Sequence, residues 1–204
     1  SKGFERIKRP PPGQKLRVAI VDGGKHTKLE DIDGDGKPDL THAELIETLM
    51  PNVDTVHYVG KQYTNRTMQQ QFTQLNRDLK HGKPVDAVIF SMCNPVTYDQ
   101  LETPEGKPIT AQNIAQHKET LVGTTANAKD RLRNTRKLAP LIQAVNQHAP
   151  VFICAGNADK IDTTHYDTNQ VNLYSLIDDA THVKAVDANG KTEPYSFDSS
   201  LINT

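Results

Sequence analysis

Along this 204-residue chain, short runs that are apolar, or that alternate apolar and polar residues, are interspersed with amphipathic stretches. Five runs have the length and composition of buried strands, at residues 16–22, 53–59, 85–92, 151–155 and 181–187. Three stretches have apolar positions at helical spacing, at residues 41–50, 67–81 and 128–148. The alternation of strands and helices predicts an α/β domain with a mainly parallel, twisted sheet flanked by helices.

Local signals define the ends of these elements. Thr41 and Glu44 have the spacing of a capping box, so they predict a helix start. Pro140 lies inside the third helical stretch, and we expect it to kink or split that helix. Residues 23–40 are predicted as a loop rich in Gly and Asp. Residues 94–125, rich in Pro, Gly and Thr, are predicted as an insertion with one short helix.

The first 15 residues differ from the rest in composition. A basic stretch runs into Pro10-Pro11-Pro12-Gly13, which predicts a linker or polyproline arm. Residues 16–204 are then predicted to form one domain. The net charge of −1 gives no electrostatic basis for binding nucleic acid or an anionic membrane. No apolar run is as long as a membrane span.

Three polar residues lie where α/β folds place functional groups. Asp22 ends the first strand, and Asn157 follows the strand at 151–155 after Ala-Gly. His42 lies in the first turn of the predicted helix, where the helix dipole disfavours the protonated imidazole. Taken singly, each has an ordinary structural interpretation: a loop cap, a surface histidine and a turn. The three residues follow one another as strand-Asp, helix-His and strand-Asn, at the same edge of the predicted sheet.

This arrangement resembles the Asp, the His and the oxyanion-hole Asn of subtilisin-like serine peptidases. Residues 87–94 resemble the substrate-lining strand of that family, and residues 182–197 resemble the strand-turn-strand that precedes its nucleophile. The resemblance extends over residues 16–200, except that residues 94–125 have no counterpart. It implies a subtilisin-like fold and peptide-bond hydrolysis.

The resemblance also implies a role for each matching residue. His42 would act as general base, Asp22 would orient its imidazole, and Asn157 would bind the oxyanion. A peptide or protein substrate would lie as an extended strand along the segment formed by Ser91, Met92, Cys93 and Asn94. An exported protein would be the family's usual setting.

The chain departs from the family pattern at several places. Residues 23–24 are Gly-Gly where the family has Ser-Gly or Thr-Gly, and residues 43–45 differ from the family's sequence after the histidine. Asn94 replaces a pocket glycine, so specificity does not transfer. No segment matches the family's Gly-Thr-Ser motif, and Ser199 and Ser200 are predicted as loop serines. We therefore expect the nucleophilic serine to lie outside this chain, on a further segment, domain or chain, and this chain alone to be inactive.

An acidic loop gives a separate prediction. Asp31, Asp33, Asp35 and Asp39 occupy positions 1, 3, 5 and 9 of a calcium-loop pattern, with Gly at position 6. Lys37 would offer its backbone carbonyl, so these five residues are a candidate Ca²⁺ site. The twelfth position lacks the bidentate Glu of an EF-hand, and an acidic solvated turn remains the alternative.

Two other functions are compatible with the sequence. The missing serine motif favours a catalytically inactive subtilase-like binding or regulatory domain. The Asp22-Gly-Gly turn is also compatible with a nucleotide-binding α/β domain, although it lacks the dinucleotide fingerprint.

Cys93 and Cys154 end apolar runs and are predicted as small buried residues, with a disulfide or a reactive thiol as alternatives.

Overall fold

The computed structural model describes residues 2–24, 28–122, 130–197 and 201–202. The strands are β1 (Arg17–Asp22), β2 (Lys28–Glu30), β3 (Leu40–Thr41), β4 (Asp54–Val59), β5 (Ala87–Phe90), β6 (Pro95–Thr97), β7 (Val151–Cys154), β8 (Gln170–Asn172) and β9 (Thr181–Val183). The α-helices are α1 (Lys2–Glu5), α2 (His42–Thr48), α3 (Asn65–Lys80), α4 (Lys118–Val122) and α5 (Asp130–Asn146). Short 3₁₀ helices span Tyr98–Gln100, Ile114–His117 and Leu173–Leu176.

The main sheet is parallel and five-stranded, with the strand order β4-β1-β5-β7-β9. The predicted α/β class is therefore confirmed. Strand β1 lies between β4 and β5 and is parallel to both, with Asp22 opposite Val59. Strands β2 and β3 form a separate antiparallel pair, as do β6 and β8. The predicted loop at 23–40 therefore contains strand β2 and the first residue of β3.

The chain divides into two compact units, which we describe separately. The first unit comprises Lys2–Ser91 and Ala144–Phe152. The second unit comprises Met92–Gln143 and Ile153–Thr204.

The core of the first unit forms where β1 and β5 meet helix α3. Residues 18–21 of β1 are buried because a central parallel strand is covered on both faces. The rings of Phe72 and Phe90 are both fully buried and meet edge-to-face, with centroids 5.0 Å apart. This apolar contact anchors α3 on the sheet.

The N-terminal residues pack on the first unit, although their composition predicted a linker or arm. Lys2–Glu5 forms one helical turn, and the ring of Phe4 lies 4.7 Å from that of Phe152. The guanidinium of Arg6 donates to the carbonyl of Asn146. These two contacts compensate for part of the entropy lost on ordering the segment.

The sequence signals for the helices can be compared with the structure at two places, the start of α2 and Pro140 of α5. The predicted capping box is confirmed: Thr41 Oγ1 accepts from Glu44 N, and a Glu44 carboxylate oxygen accepts from Thr41 N. Pro140 does not split its helix, because α5 continues from Asp130 to Asn146. Leu138 and Ile142 on either side of the proline are buried, so packing offsets the hydrogen bond that the proline removes.

The segment predicted as an insertion forms much of the second unit. It contains β6, α4 and two of the 3₁₀ helices. Its buried side chains join an apolar cluster with residues that follow in the chain: Val96, Tyr98, Leu101, Ile109, Ile114, Leu121, Leu132, Val171, Leu173, Leu176 and Leu201. Residues 94–122 therefore contain more regular structure than their Pro and Gly content suggested. Among the described residues, no helix is long and apolar enough to cross a membrane.

Candidate functional site

The first unit brings two of the predicted catalytic residues together. Asp22 Oδ2 and His42 Nδ1 are 2.5 Å apart, and Asp22 is only 1% exposed. Oδ1 of the same carboxylate accepts from the backbone N–H of Gly23 at 2.6 Å. Strand β1 delivers the carboxylate at its C-terminal end, and the capped start of α2 delivers the imidazole.

The hydrogen bond determines the chemistry of the imidazole. Because Asp22 accepts the proton on Nδ1, the neutral ring of His42 has its lone pair on Nε2. No partner for Nε2 is present in the described residues, and the side chain is 26% exposed. This atom is therefore available as a general base.

The same contact changes the protonation of His42. The hydrogen bond to Asp22 raises the pKa of His42 above its ordinary value of 6.5, against an opposing effect of burial, and the charges of Asp22 and Glu30 add to the rise. The helix N-terminus was expected to disfavour the protonated form, whereas the adjacent carboxylate favours it. The protonated pair stabilises the fold fully below the ordinary pKa, and that stabilisation is lost as pH rises through the raised pKa.

Close packing explains the Gly-Gly sequence after Asp22. A Cβ on Gly24 would lie 2.0 Å from the ring of Tyr63. A Cβ on Gly23 would lie 2.4 Å from the terminal methyl of Met68 and 2.9 Å from the Tyr63 backbone. Tyr63 thus covers the turn beside the carboxylate, and burial with the nearby charges of Asp22 and Glu30 raises its pKa to about 12.

Asn157 belongs to the second unit, where its position is fixed by its neighbours. Gly156 has a φ of +98°, and a Cβ there would lie 2.6 Å from Cys93 Sγ and 2.8 Å from the ring of Phe197. Asn157 forms an isolated antiparallel bridge with Ser196, and its side chain is exposed. No hydrogen bond of its side-chain amide occurs within the described part of the chain, so that amide is available to a ligand.

The four predicted substrate-contacting residues, Ser91 to Asn94, follow β5 and are half-buried. The strand predicted to reach Met92 ends at Phe90. Ser91 belongs to the first unit and the other three to the second.

The Cys93 pKa is raised to about 12, mainly by burial and then by Cys154, so the thiol stays neutral at physiological pH. Neither cysteine forms a disulfide in the structure.

Sequence reasoning missed the residue that holds this segment in place. Asn172 is fully buried, and its Oδ1 accepts from the backbone N–H of Asn94 at 2.9 Å. Its Nδ2 donates to the carbonyl of Cys154 at 3.0 Å and to that of Met92 at 3.4 Å. The only sequence signal is one asparagine in the apolar run from Val171 to Ile177, because a buried amide requires partners.

Most of the predicted calcium ligands converge in the first unit. Carboxylate oxygens of Asp31, Asp33 and Asp39 lie within 4.8 Å of one another, and all three residues are exposed. The Asp31 carboxylate accepts from the N–H groups of Gly34 and Gly36. Asp35 is not in this group, and its Oδ1 accepts from the Lys37 N–H.

Ser199 and Ser200, which were predicted as loop serines, lie outside the described residues.

A scan of protein-family models found no match to the chain, and a search of curated proteins found none either. The subtilase assignment therefore remains a resemblance based on the sequence motifs.

The first prediction concerns the titration of His42. In Asp22→Asn, the pKa of His42 should fall, because the two effects of the carboxylate that raise it are removed while burial remains. The measurement is an NMR pH titration of the imidazole signals. Asp54→Asn, which removes an exposed carboxylate of β4, is the matched control and should leave the curve unchanged. Equal curves in Asp22→Asn and the wild type would contradict the pairing.

The second prediction concerns the packing of Tyr63 on the glycine turn. Gly24→Ala should destabilise the fold by about 1–3 kcal/mol, since a small-to-large change in a filled space forces its neighbours to move. In a Tyr63→Ala background the same substitution should destabilise the fold much less, because the three atoms nearest to the new Cβ all belong to the Tyr63 ring. Urea unfolding of the four proteins measures the coupling, and additive effects would refute the contact.

Proposed function

We propose that this chain is a subtilisin-like serine endopeptidase domain in which Asp22 and His42 are two members of the catalytic triad. The observation that supports this function most directly is the 2.5 Å contact between Asp22 Oδ2 and His42 Nδ1, with Nε2 left to accept a proton. The nucleophilic serine is proposed to lie outside these 204 residues, since they contain no Gly-Thr-Ser segment.

In the proposed reaction, His42 Nε2 takes the proton of the serine hydroxyl as its oxygen attacks a peptide carbonyl. Asp22 stabilises the resulting imidazolium, which then protonates the leaving amine. The resemblance assigns the binding of the oxyanion to the side-chain amide of Asn157, an interaction worth about 3 kcal/mol in serine peptidases. Water finally hydrolyses the acyl-enzyme.

The proposed peptide substrate adds as an extended strand beside residues 91–94. Within this segment, the Met92 carbonyl and both Asn94 backbone groups already bond to Asn172, Cys154 or Leu173. The backbone N–H and C=O of Cys93 have no such partner in the described residues. They are the groups that we assign to the substrate.

The principal alternative is a binding or regulatory domain without catalysis, and the missing serine motif favours it. A nucleotide site at the Asp22-Gly-Gly turn has less support. The space above Gly23 and Gly24 is filled by Met68 and Tyr63, and the Asp22 carboxylate is engaged by His42.

The third prediction tests the peptidase with a fluorophosphonate probe, which labels an activated serine, on the complete gene product. His42→Ala should reduce the labelling rate by about 10³-fold or more, because the general base is lost. In the wild type the rate should rise with pH as His42 loses its proton. His81→Ala, at an exposed histidine of the same unit, is the matched control.

Two results would overturn the peptidase proposal. The first is undiminished labelling of His42→Ala, which would mean that His42 is not the base. The second is a folded complete protein that is not labelled at all, which would favour the non-catalytic binding domain.

We also propose that the acidic loop binds Ca²⁺ through Asp31, Asp33 and Asp39. Oxygen ligands at this spacing suit a hard cation, and three carboxylates held together repel one another without one. Asp39 N donates to the Glu30 carbonyl, which closes the loop between β2 and β3. Since β3 ends at the N-cap of α2, the bound ion would stabilise the segment that leads to His42.

The fourth prediction follows for the stability of the chain. Ca²⁺ at about 100 times its Kd should stabilise the wild type by about 2.7 kcal/mol. The double variant Asp31→Asn, Asp33→Asn should lose this response, whereas the Asp54→Asn control keeps it. Thermal unfolding with Ca²⁺ or with a chelator measures the effect. An equal response in the double variant would exclude the loop as the binding site.

A further inference from the structure

A cavity of about 520 Å³ opens beside helix α5 in the second unit. Small-molecule sites in proteins have volumes of about 300–1,000 Å³, so this cavity has room for an organic ligand. Part of its lining is apolar and comes from Val122, Ala139, Pro140, Leu176 and Ile177. An apolar body could therefore be buried here.

The polar part of the lining is dominated by cations. It comprises the cations of Lys118, Arg133, Arg136 and Lys137, the two carboxylates of Glu119 and Asp178, and the neutral amide of Gln143. The chain as a whole has a net charge of −1, so this cavity is more basic than the rest of the protein. A net positive lining favours an anionic ligand.

Two of the four cations have partners. Lys118 Nζ lies 3.1 Å from the Asp178 carboxylate. The Arg136 guanidinium donates to the carbonyls of Thr120 and Leu121, at 3.2 and 2.9 Å. These carbonyls are in the last turn of α4. Lys118 and Arg136 thus help to build the cavity wall.

The other two cations, Arg133 and Lys137, are not engaged in this way. Both are exposed, and neither has a hydrogen bond or ion pair in the described part of the chain. They are four residues apart on α5, so they share one helix face and repel each other. An anion between them would relieve this repulsion.

We propose that this cavity binds a small organic carboxylate with an apolar chain. The Arg133 guanidinium can donate two parallel hydrogen bonds to the carboxylate, and the Lys137 ammonium adds a second positive charge. The apolar chain then lies against Leu176 and Ile177. This site lies within the second unit and uses none of the proposed catalytic residues, so it is independent of the proposed peptidase activity.

His182 provides a reporter behind the cavity lining. It is 2% exposed, and its Nε2 donates to the carbonyl of Ile177 at 2.8 Å. A ligand that contacts Ile177 should shift the imidazole signals of His182. His81, the C-cap residue that follows helix α3 in the first unit, is the reference histidine.

The fifth prediction uses octanoate as the probe, titrated into the 204-residue chain by calorimetry and NMR. We expect saturable 1:1 binding with a shift at His182 and none at His81. Octanol, which lacks the charge, and acetate, which lacks the chain, should each bind more weakly by about tenfold or more. Arg133→Gln with Lys137→Gln should weaken octanoate binding by a similar factor.

The matched control is Arg77→Gln with Lys80→Gln, which removes one arginine and one lysine from the exposed surface of α3. It should bind octanoate as the wild type does. Absence of saturable binding, or equal weakening in both double variants, would overturn the site. Acetate binding as tight as that of octanoate would overturn the role of the apolar lining.

Discussion

The hydrogen bond between Asp22 and His42 is the interaction on which the candidate functional site depends. A carboxylate that is 1% exposed requires strong partners, because an unpaired buried charge is very costly. Asp22 has two, the Gly23 N–H and the His42 ring. The pair raises the pKa of His42 and selects the tautomer with Nε2 free, so one contact satisfies a buried charge and prepares a base.

Local structure on both sides keeps this contact in place. Strand β1 is an interior strand of the sheet that pairs with both β4 and β5, and its pairing with β4 places Asp22 opposite Val59. The capping box of Thr41 and Glu44 fixes the start of α2, where His42 is the first residue. Tyr63 covers the glycine turn that follows Asp22 and leaves no room for a side chain at Gly24. At Gly23, the position where subtilases have Ser or Thr, a Cβ would lie 2.4 Å from the terminal methyl of Met68, so packing accounts for the glycine there.

Apolar periodicity and caps predicted the α/β class, the main strands and the start of α2, because these depend on short-range sequence. The position of Asp22 at a strand end and of His42 at a helix start, together with the resemblance to subtilases, made them candidate catalytic residues. The sequence could not predict the role of Tyr63 or Asn172, since both act through residues that are distant in the chain or through backbone groups. It also underestimated the segment at 94–125, whose apolar residues pack with Leu132, Val171 and others far along the chain.

The tautomer of His42 tests directly whether Asp22 accepts a hydrogen bond from the imidazole Nδ1. ¹⁵N NMR at a pH above the pKa of His42 distinguishes a protonated Nδ1 from a protonated Nε2. We predict that Nδ1 carries the proton in the wild type, because Asp22 Oδ2 accepts it. We also predict that this preference is lost when Asp22 is replaced by Ala. A neutral His42 with its proton on Nε2 in the wild type would show that Asp22 does not accept a proton from Nδ1.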